Sequence, residues 1–145
     1  MIAFEASVII NRPTKEVFRF VADGRNALRW NSAVQEVKKV SEGPVALDTE
    51  YWMARELPRG RVENSYRIVE YEPNERLSIK TTSGPTPFLY RYTFDPVGSG
   101  TRLSLKAEAS LEGIPRLLSP VASRAVKRGV EANFETLKTL LESSG

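Results

Sequence analysis

The sequence has no cysteine and no histidine, and its 145 residues include two tryptophans and two methionines. Without cysteine there is no disulfide framework, no thiol nucleophile and no thiolate metal site. Without histidine there is no Ser-His-Asp triad, no imidazole base and no His-ligated zinc. Catalysis would fall to Asp, Glu, Lys, Arg, Tyr, Ser or Thr, and neither a metal nor a cofactor is called for. No run approaches the roughly 18 apolar residues that span a membrane. The opening MIAFEASVII carries Glu5 and no basic stretch, so it does not read as a signal peptide, and a cytoplasmic location is expected. Internal repeats, low-complexity tracts and linkers are also missing.

What is present is ordinary globular material, 41% hydrophobic and 27% charged. The length predicts one domain over residues 1–145, since domains cluster near roughly 100–150 residues. The net charge is +3. Both signs balance in the first half, and the excess falls in residues 73–145. Much of it is one cluster, Arg116, Arg124, Lys127 and Arg128. Basic residues form no continuous stripe interleaved with aromatics, so nucleic acid is not an expected partner. The cluster leaves peripheral contact with an anionic membrane open, although the helix carrying it needs its apolar face for the core.

Hydrophobic periodicity divides the chain. Ile2, Phe4, Ala6, Val8 and Ile10 alternate as a strand. Asn11-Arg12-Pro13-Thr14 then begins a short helix with Val17, Phe18, Val21 and Ala22 on one face, and Asp23-Gly24 stops it. A second short helix runs through Ala27, Leu28 and Trp30. From about residue 33 to 112 the period is two. One strand is marked by Val34, Val37 and Val40, the next by Tyr51 and Met53. A long strand carries Val62, Asn64, Tyr66 and Ile68, followed by Leu77, Ile79 and Thr81, then Phe88, Tyr90, Tyr92 and Phe94, then Leu103, Leu105, Ala107 and Ala109. The turns between them, among them Leu57-Pro58-Arg59-Gly60 and Ser83-Gly84-Pro85, are of hairpin length, so the sheet is antiparallel.

After Gly113 the period becomes helical. A short turn is expected over Ile114 to Leu118, with Ser119-Pro120 as the start of a helix reaching about Glu142, roughly 34 Å long. Val121, Ala122, Ala125, Val126, Gly129, Val130, Asn133, Leu137 and Leu140 are placed on its inner face. The layout is α+β: a curved seven-stranded antiparallel sheet around a long C-terminal helix, with two short helices between strands 1 and 2. A strongly twisted sheet gripping one helix tends to leave an apolar gap, the usual form of a small-molecule site.

Four segments resemble one superfamily. Ile10 to Pro13 with Glu16-Val17-Phe18 is similar to its opening. Asp23 through Trp30-Asn31 is similar to its Asp-to-Trp segment. Tyr66 to Pro73 with Arg76-Leu77 resembles its central strand and turn, and Tyr92 to Pro96 with Gly100 to Leu103 its last hairpin. On these residues the chain is identified as a START-like, or SRPBCC, protein, similar to the polyketide cyclase/dehydrase-like branch. The resemblance covers nearly the whole chain and implies the helix-grip fold with a hydrophobic cavity. It does not imply one activity, because one fold hosts many functions.

The candidate ligand-binding residues are Met53, Arg55, Asn64, Tyr66, Phe88, Tyr90, Gly129 and Asn133. Gly129 either opens space or packs against a bulky residue such as Tyr90. Asn133 needs a hydrogen-bond partner, from a ligand, a water, a tyrosine or the sheet. Tyr66 and Tyr90 combine apolar area with a polar tip and suit a cavity wall, whereas Tyr92 reads as core. Arg55 shares the phase of Met53. Turned inward it would be the one cation near the cavity, able to bind a carboxylate or an enolate. Its place near the strand end favours a guanidinium in water. Trp30 anchors the short helix at the cavity mouth, and Trp52 lies out of phase, on an exposed or dimer surface.

Glu5, Glu63, Glu70 and Glu108 fall on the solvated face, so no acid/base pair is expected inside and no catalytic residue is assigned. The leading expectation is binding or transport of a small hydrophobic molecule such as a lipid, a polyketide or a polyprenyl-like compound. The alternatives are a cofactor-free cyclase or dehydratase and a surface-acting adaptor or toxin-like domain. Monomer and homodimer both stay open.

Overall fold

The computed structural model describes residues 2–57, 60–110 and 119–143. Seven strands form one antiparallel sheet in the order β1-β7-β6-β5-β4-β3-β2. They are β1 (Ile2–Ile10), β2 (Val34–Lys39), β3 (Glu50–Leu57), β4 (Gly60–Glu72), β5 (Arg76–Ser83), β6 (Phe88–Val97) and β7 (Gly100–Ala109). Between β1 and β2 lie α1 (Thr14–Ala22), a single 3-10 turn (Gly24–Asn26) and α2 (Ala27–Trp30); α3 (Ser119–Ser143) follows β7. This is the helix-grip layout expected from the periodicity. The expected turn at 114–118, Arg116 and the Pro58-Arg59 connection lie outside the described residues.

In β1 every second residue, from Ile2 to Ile10, is buried. That is the period-two signature of a sheet with one dry face. The neighbouring strands keep phase with it: Val8 opposes Leu103, and Leu103 opposes Phe94. Irregularities in register between Val34 and Glu36, between Ser65 and Tyr66, and between Ile68 and Glu70 interrupt the pairing. An extra residue at such a point bends the strand and strengthens its twist, which curls the sheet. The first of them lets Val34 and Val37 share the inner face despite their three-residue spacing. No such irregularity follows Val37; β2 ends at Lys39, and Val40 is 60% exposed.

Asp23 ends α1 and organises the turn after it. Its Oδ1 accepts from the Arg25 backbone N–H at 3.1 Å and from Arg25 Nε at 3.0 Å, and Oδ2 accepts from Nη2 at 2.8 Å. Burial pushes the Asp23 carboxyl up, but the hydrogen bonds and charge of Arg25 outweigh it and hold it below its usual value. Gly24 is required here by close approach. A Cβ at this position would collide with the Tyr66 hydroxyl and press on the Tyr51 ring.

The inner face of α3 differs from its expected composition. Phe134, Leu137 and Leu141 are buried in the core, while Val121 is 61% exposed and Ala125 and Gly129 are also exposed. The C-terminal half packs on β1, so a Val130–Phe134–Leu137–Leu141 line becomes the centre of contact. The N-terminal half borders open space beneath it at Val126 and Gly129, and Val121 and Ala125 are left exposed.

Candidate ligand cavity

The space beneath the N-terminal half of α3 is a partly enclosed cavity of about 260 Å³. Its floor is the aromatic face of the sheet. Tyr51 and Tyr66, opposite each other in the β3–β4 register, stack with centroids 5.2 Å apart. Phe88 lies 6.1 Å from Tyr66 and 4.6 Å from Tyr90, and Tyr90 meets Tyr92 edge-on at 6.5 Å. Such pairs add about 0.5–1.5 kcal/mol each beyond area burial and fix the ring planes. The mouth is closed on one side by Trp30 and the loop after α2, and on the other by Val126, Gly129 and Val130.

Seven of the eight expected residues line this cavity: Met53, Arg55, Tyr66, Phe88, Tyr90, Gly129 and Asn133. Asn64 is not part of the lining; it is fully buried and hydrogen-bonds Arg55. Its Oδ1 accepts from Arg55 Nη2 at 2.8 Å, and its Nδ2 donates to the carbonyls of Ser83 and Pro85. Gly129 opens space: a Cβ there would meet nothing within 4 Å, so it does not pack against Tyr90. Asn133 is satisfied by neither the sheet nor a tyrosine. Its Oδ1 accepts from Ser32 N and Oγ, at 3.1 and 3.2 Å, and its Nδ2 donates to Asn31 Oδ1 at 3.2 Å. It therefore latches α3 to the loop after α2 at the mouth.

Arg55 reverses the strand-end expectation. Its side chain turns inward and lays the guanidinium over the Phe88 ring, 5.3 Å from the centroid. Nη2 also donates to Thr86 Oγ1 at 2.8 Å. Thr86 holds φ +56, in the left-handed region where a branched residue is strained. The glycine before it in the same turn, Gly84, has φ +97 and would drive a Cβ into the Glu63 carbonyl and the Asn64 amide. The strained β5–β6 turn thus brings one neutral acceptor, Thr86 Oγ1, to a cation that Asn64 of β4 also meets. Loss of hydration holds the Arg55 pKa below its ordinary value, with the nearby Tyr90 opposing the shift.

The tyrosines are protonated at neutral pH. Burial pushes Tyr66, Tyr90 and Tyr92 up, and it is also the main cause for Tyr51, which reaches about 12. Among the described residues, the lining has no carboxylate. The site can therefore solvate an apolar body, donate hydrogen bonds and place one positive charge.

The family model for "Polyketide cyclase / dehydrase and lipid transport" matches residues 1–142. The chain belongs to this family. Membership agrees with the START-like reading of the four sequence segments and with an apolar cavity made for hydrophobic ligand binding or cyclase chemistry. Solved structures share the fold at low identity. The protein TTHA0849 from Thermus thermophilus is 20% identical with a TM-score of 0.84, covering 99% of this chain and all of that one. A START superfamily protein from Mycobacterium smegmatis is 13% identical with a TM-score of 0.82, covering 99% of each chain. The di-domain ARO/CYC BexL of the BE-7585A biosynthetic pathway is 20% identical with a TM-score of 0.74, covering 98% of this chain and 47% of that one. No curated protein matches the sequence.

Within the family fold, several contributors to the cavity were not expected as site residues, Tyr92, Val126 and Val130 among them. Tyr92 lines the floor although it reads as core beside Phe94, and Val126 and Val130 line the roof. The signal for the valines was present: 126, 129, 130 and 133 follow helical i, i+3, i+4, i+7 spacing. Trp52 is half-buried under Lys38, whose Nζ sits 5.3 Å from its ring. Arg124, Lys127 and Arg128 are exposed on α3, and no described helix is long and apolar enough to cross a membrane.

Proposed function

We propose that this protein binds and carries a small hydrophobic molecule in the cavity between sheet and α3, without transforming it. The observation that carries the reading is the apolar space left beneath α3 at Gly129, walled by aromatic rings that are fixed by their own packing. Its volume lies just below the roughly 300–1,000 Å³ of drug-sized sites. That favours a compact ring system or a short chain over a diacyl lipid or a full polyprenyl tail. General acid–base catalysis needs a group titrating near the working pH. The tyrosines are displaced away from neutrality, and the described lining offers no carboxylate.

A cyclase or dehydratase is the second reading. The Tyr66 and Tyr90 hydroxyls, which have no hydrogen-bond partner among the described residues, and Arg55 would polarise the carbonyls of a folded substrate. The structural likeness to the ARO/CYC protein points the same way.

The test uses N-phenyl-1-naphthylamine, a neutral apolar fluorophore, with native mass spectrometry of freshly purified protein. Blue-shifted, saturable fluorescence at one site per chain, weakened in Gly129→Trp, is the expected result. A flat titration with an empty native mass would discard the cavity as a binding site.

A further inference from the structure

Arg55 is a largely desolvated cation with no acidic partner among the described residues. Among the described residues it makes no salt bridge, and its acceptors, Asn64 Oδ1 and Thr86 Oγ1, are both neutral. Both engage the same nitrogen, Nη2. Nε is sealed from solvent with no described partner. Nη1 has no described partner either and is not sealed, and Arg55 is one of the residues that line the cavity. Other arginines of the sheet behave differently: Arg67 reaches Asp48 and Glu50, Arg76 reaches Glu70 and Glu72, and Arg91 reaches Glu108. Their carboxylate partners lie on the convex face, whereas among the described residues that line the cavity Arg55 is the single cation. Tyr90 is close enough to influence Arg55 and would be its natural counter-ion if ionised, but burial keeps that phenol protonated.

A desolvated charge persists when something compensates it. Neutral dipoles and the Phe88 ring supply part of that, and the strained Thr86 backbone holds one of those dipoles in place.

We propose that the cavity ligand is a small amphiphile bearing one carboxylate, received by Arg55 Nη1 with the Tyr90 hydroxyl as second donor. This rests on the cavity reading above and names the class of molecule that the cavity takes. The apolar body lies along Tyr66, Phe88 and Tyr92 towards Gly129. A guanidinium suits a planar carboxylate better than a lysine would, because its donors are fixed in one plane.

The experiment compares 2-naphthoate with 2-naphthamide, which share size and shape and differ in charge. Each competes with N-phenyl-1-naphthylamine at pH 7.5 and is also measured by calorimetry. Wild-type protein should bind the naphthoate at least tenfold more tightly than the naphthamide. In Arg55→Met that preference should vanish, read as the ratio of the two affinities within the same variant so that any change in fluorophore affinity cancels. Equal binding of the two compounds by the wild type would overturn the carboxylate assignment and leave the cavity reading intact. Failure of the fluorophore to bind would end both. The wild-type comparison decides the matter even if the Arg55→Met chain does not fold. A fall in melting temperature with the preference retained would make Arg55 a structural support and overturn the proposal.

Discussion

Along α3 the two halves meet the same sheet in different ways. In the C-terminal half, Phe134, Leu137 and Leu141 are almost fully buried, and Phe134 lies 6.3 Å from the Trp30 ring. Polar contacts fasten this half as well. Lys138 Nζ donates to the Ile9 carbonyl at 2.7 Å, and Glu142 Oε2 accepts from the Asn11 backbone N–H at 2.7 Å. The N-terminal half has Val126, Gly129 and Val130 over a cavity, with Val121 in solvent. One continuous helix thus serves as a core element at one end and as a cavity roof at the other. The stability of the fold is concentrated at the end where the helix is packed, and the space for a ligand at the end where it is not.

The largest effects should come from cutting the packed end. Leu137→Ala should cost about 2–5 kcal/mol of unfolding free energy and Phe134→Ala about 3–5, because each leaves a void in a filled core. Val130→Ala at the roof should cost about 1 kcal/mol or less, since this side chain is only partly buried and borders the cavity. Urea denaturation of the three variants reads the contrast directly. If Val130→Ala proved as damaging as Leu137→Ala, the roof would be packed down in solution and the distinction between the halves would be lost.

Alkaline pH should attack the other end. The cavity floor holds Tyr66, Tyr90 and Tyr92, with Tyr51 stacked on it, all with pKa values raised by burial. A raised tyrosine value means that the unfolded chain ionises first. Stability is therefore full below about pH 10 and falls as pH climbs from the unfolded value towards the folded ones. Each such tyrosine contributes a slope of about 1.4 kcal/mol per pH unit in that window. Urea midpoints between pH 8 and 11.5 should decline steeply, and Tyr66→Phe and Tyr92→Phe should each flatten the decline. An unchanged slope in both variants would place the alkaline sensitivity outside the cavity floor.

A smaller effect is expected at the latch. Asn133→Leu removes three hydrogen bonds to Asn31 and Ser32 at a half-exposed position, and each such bond nets about 0.5–1.5 kcal/mol at most. The stability loss should stay at the low end of that range for the three together, roughly 1.5 kcal/mol, while N-phenyl-1-naphthylamine should dissociate several-fold faster through a looser mouth. Stopped-flow release with an unaltered rate would remove Asn133 from the control of access.

The contrast between the halves was partly legible in the sequence. Period-two alternation located the strands because one face of the sheet is dry, and within β6 it singled out Phe88 and Tyr90 for the cavity, whereas Tyr92 read as core and lines the floor as well. Phe134 and Leu141 were harder. Helical spacing defines a stripe, but where its centre runs depends on how the helix crosses a twisted sheet, and that crossing is set by distant β1. Arg55 was harder still. Strand phase gave the face its side chain leaves from, and the inward turn comes from Thr86, 31 residues away in a strained turn. Asn64 carried a clear signal, a polar residue in an apolar stripe, but it hydrogen-bonds Arg55 and is not part of the lining.

The smallest predicted effect bears most directly on the comparison. Gly129 lies within α3, where glycine is about 0.8–1.0 kcal/mol less favourable than alanine. Alanine would add a methyl that meets nothing within 4 Å. Gly129→Ala should therefore stabilise the protein by up to that amount, with fluorophore affinity changed little. A roof that closed on the sheet would turn the same substitution into a clash, and the unfolding midpoint would drop. Gly129→Leu separates the two effects further. It keeps the helical gain but sends a branched side chain into the mouth, so stability should rise or hold while ligand affinity falls. If both variants lost stability, the N-terminal half of α3 would be packed as its C-terminal half is, and the cavity would belong to a minor conformation.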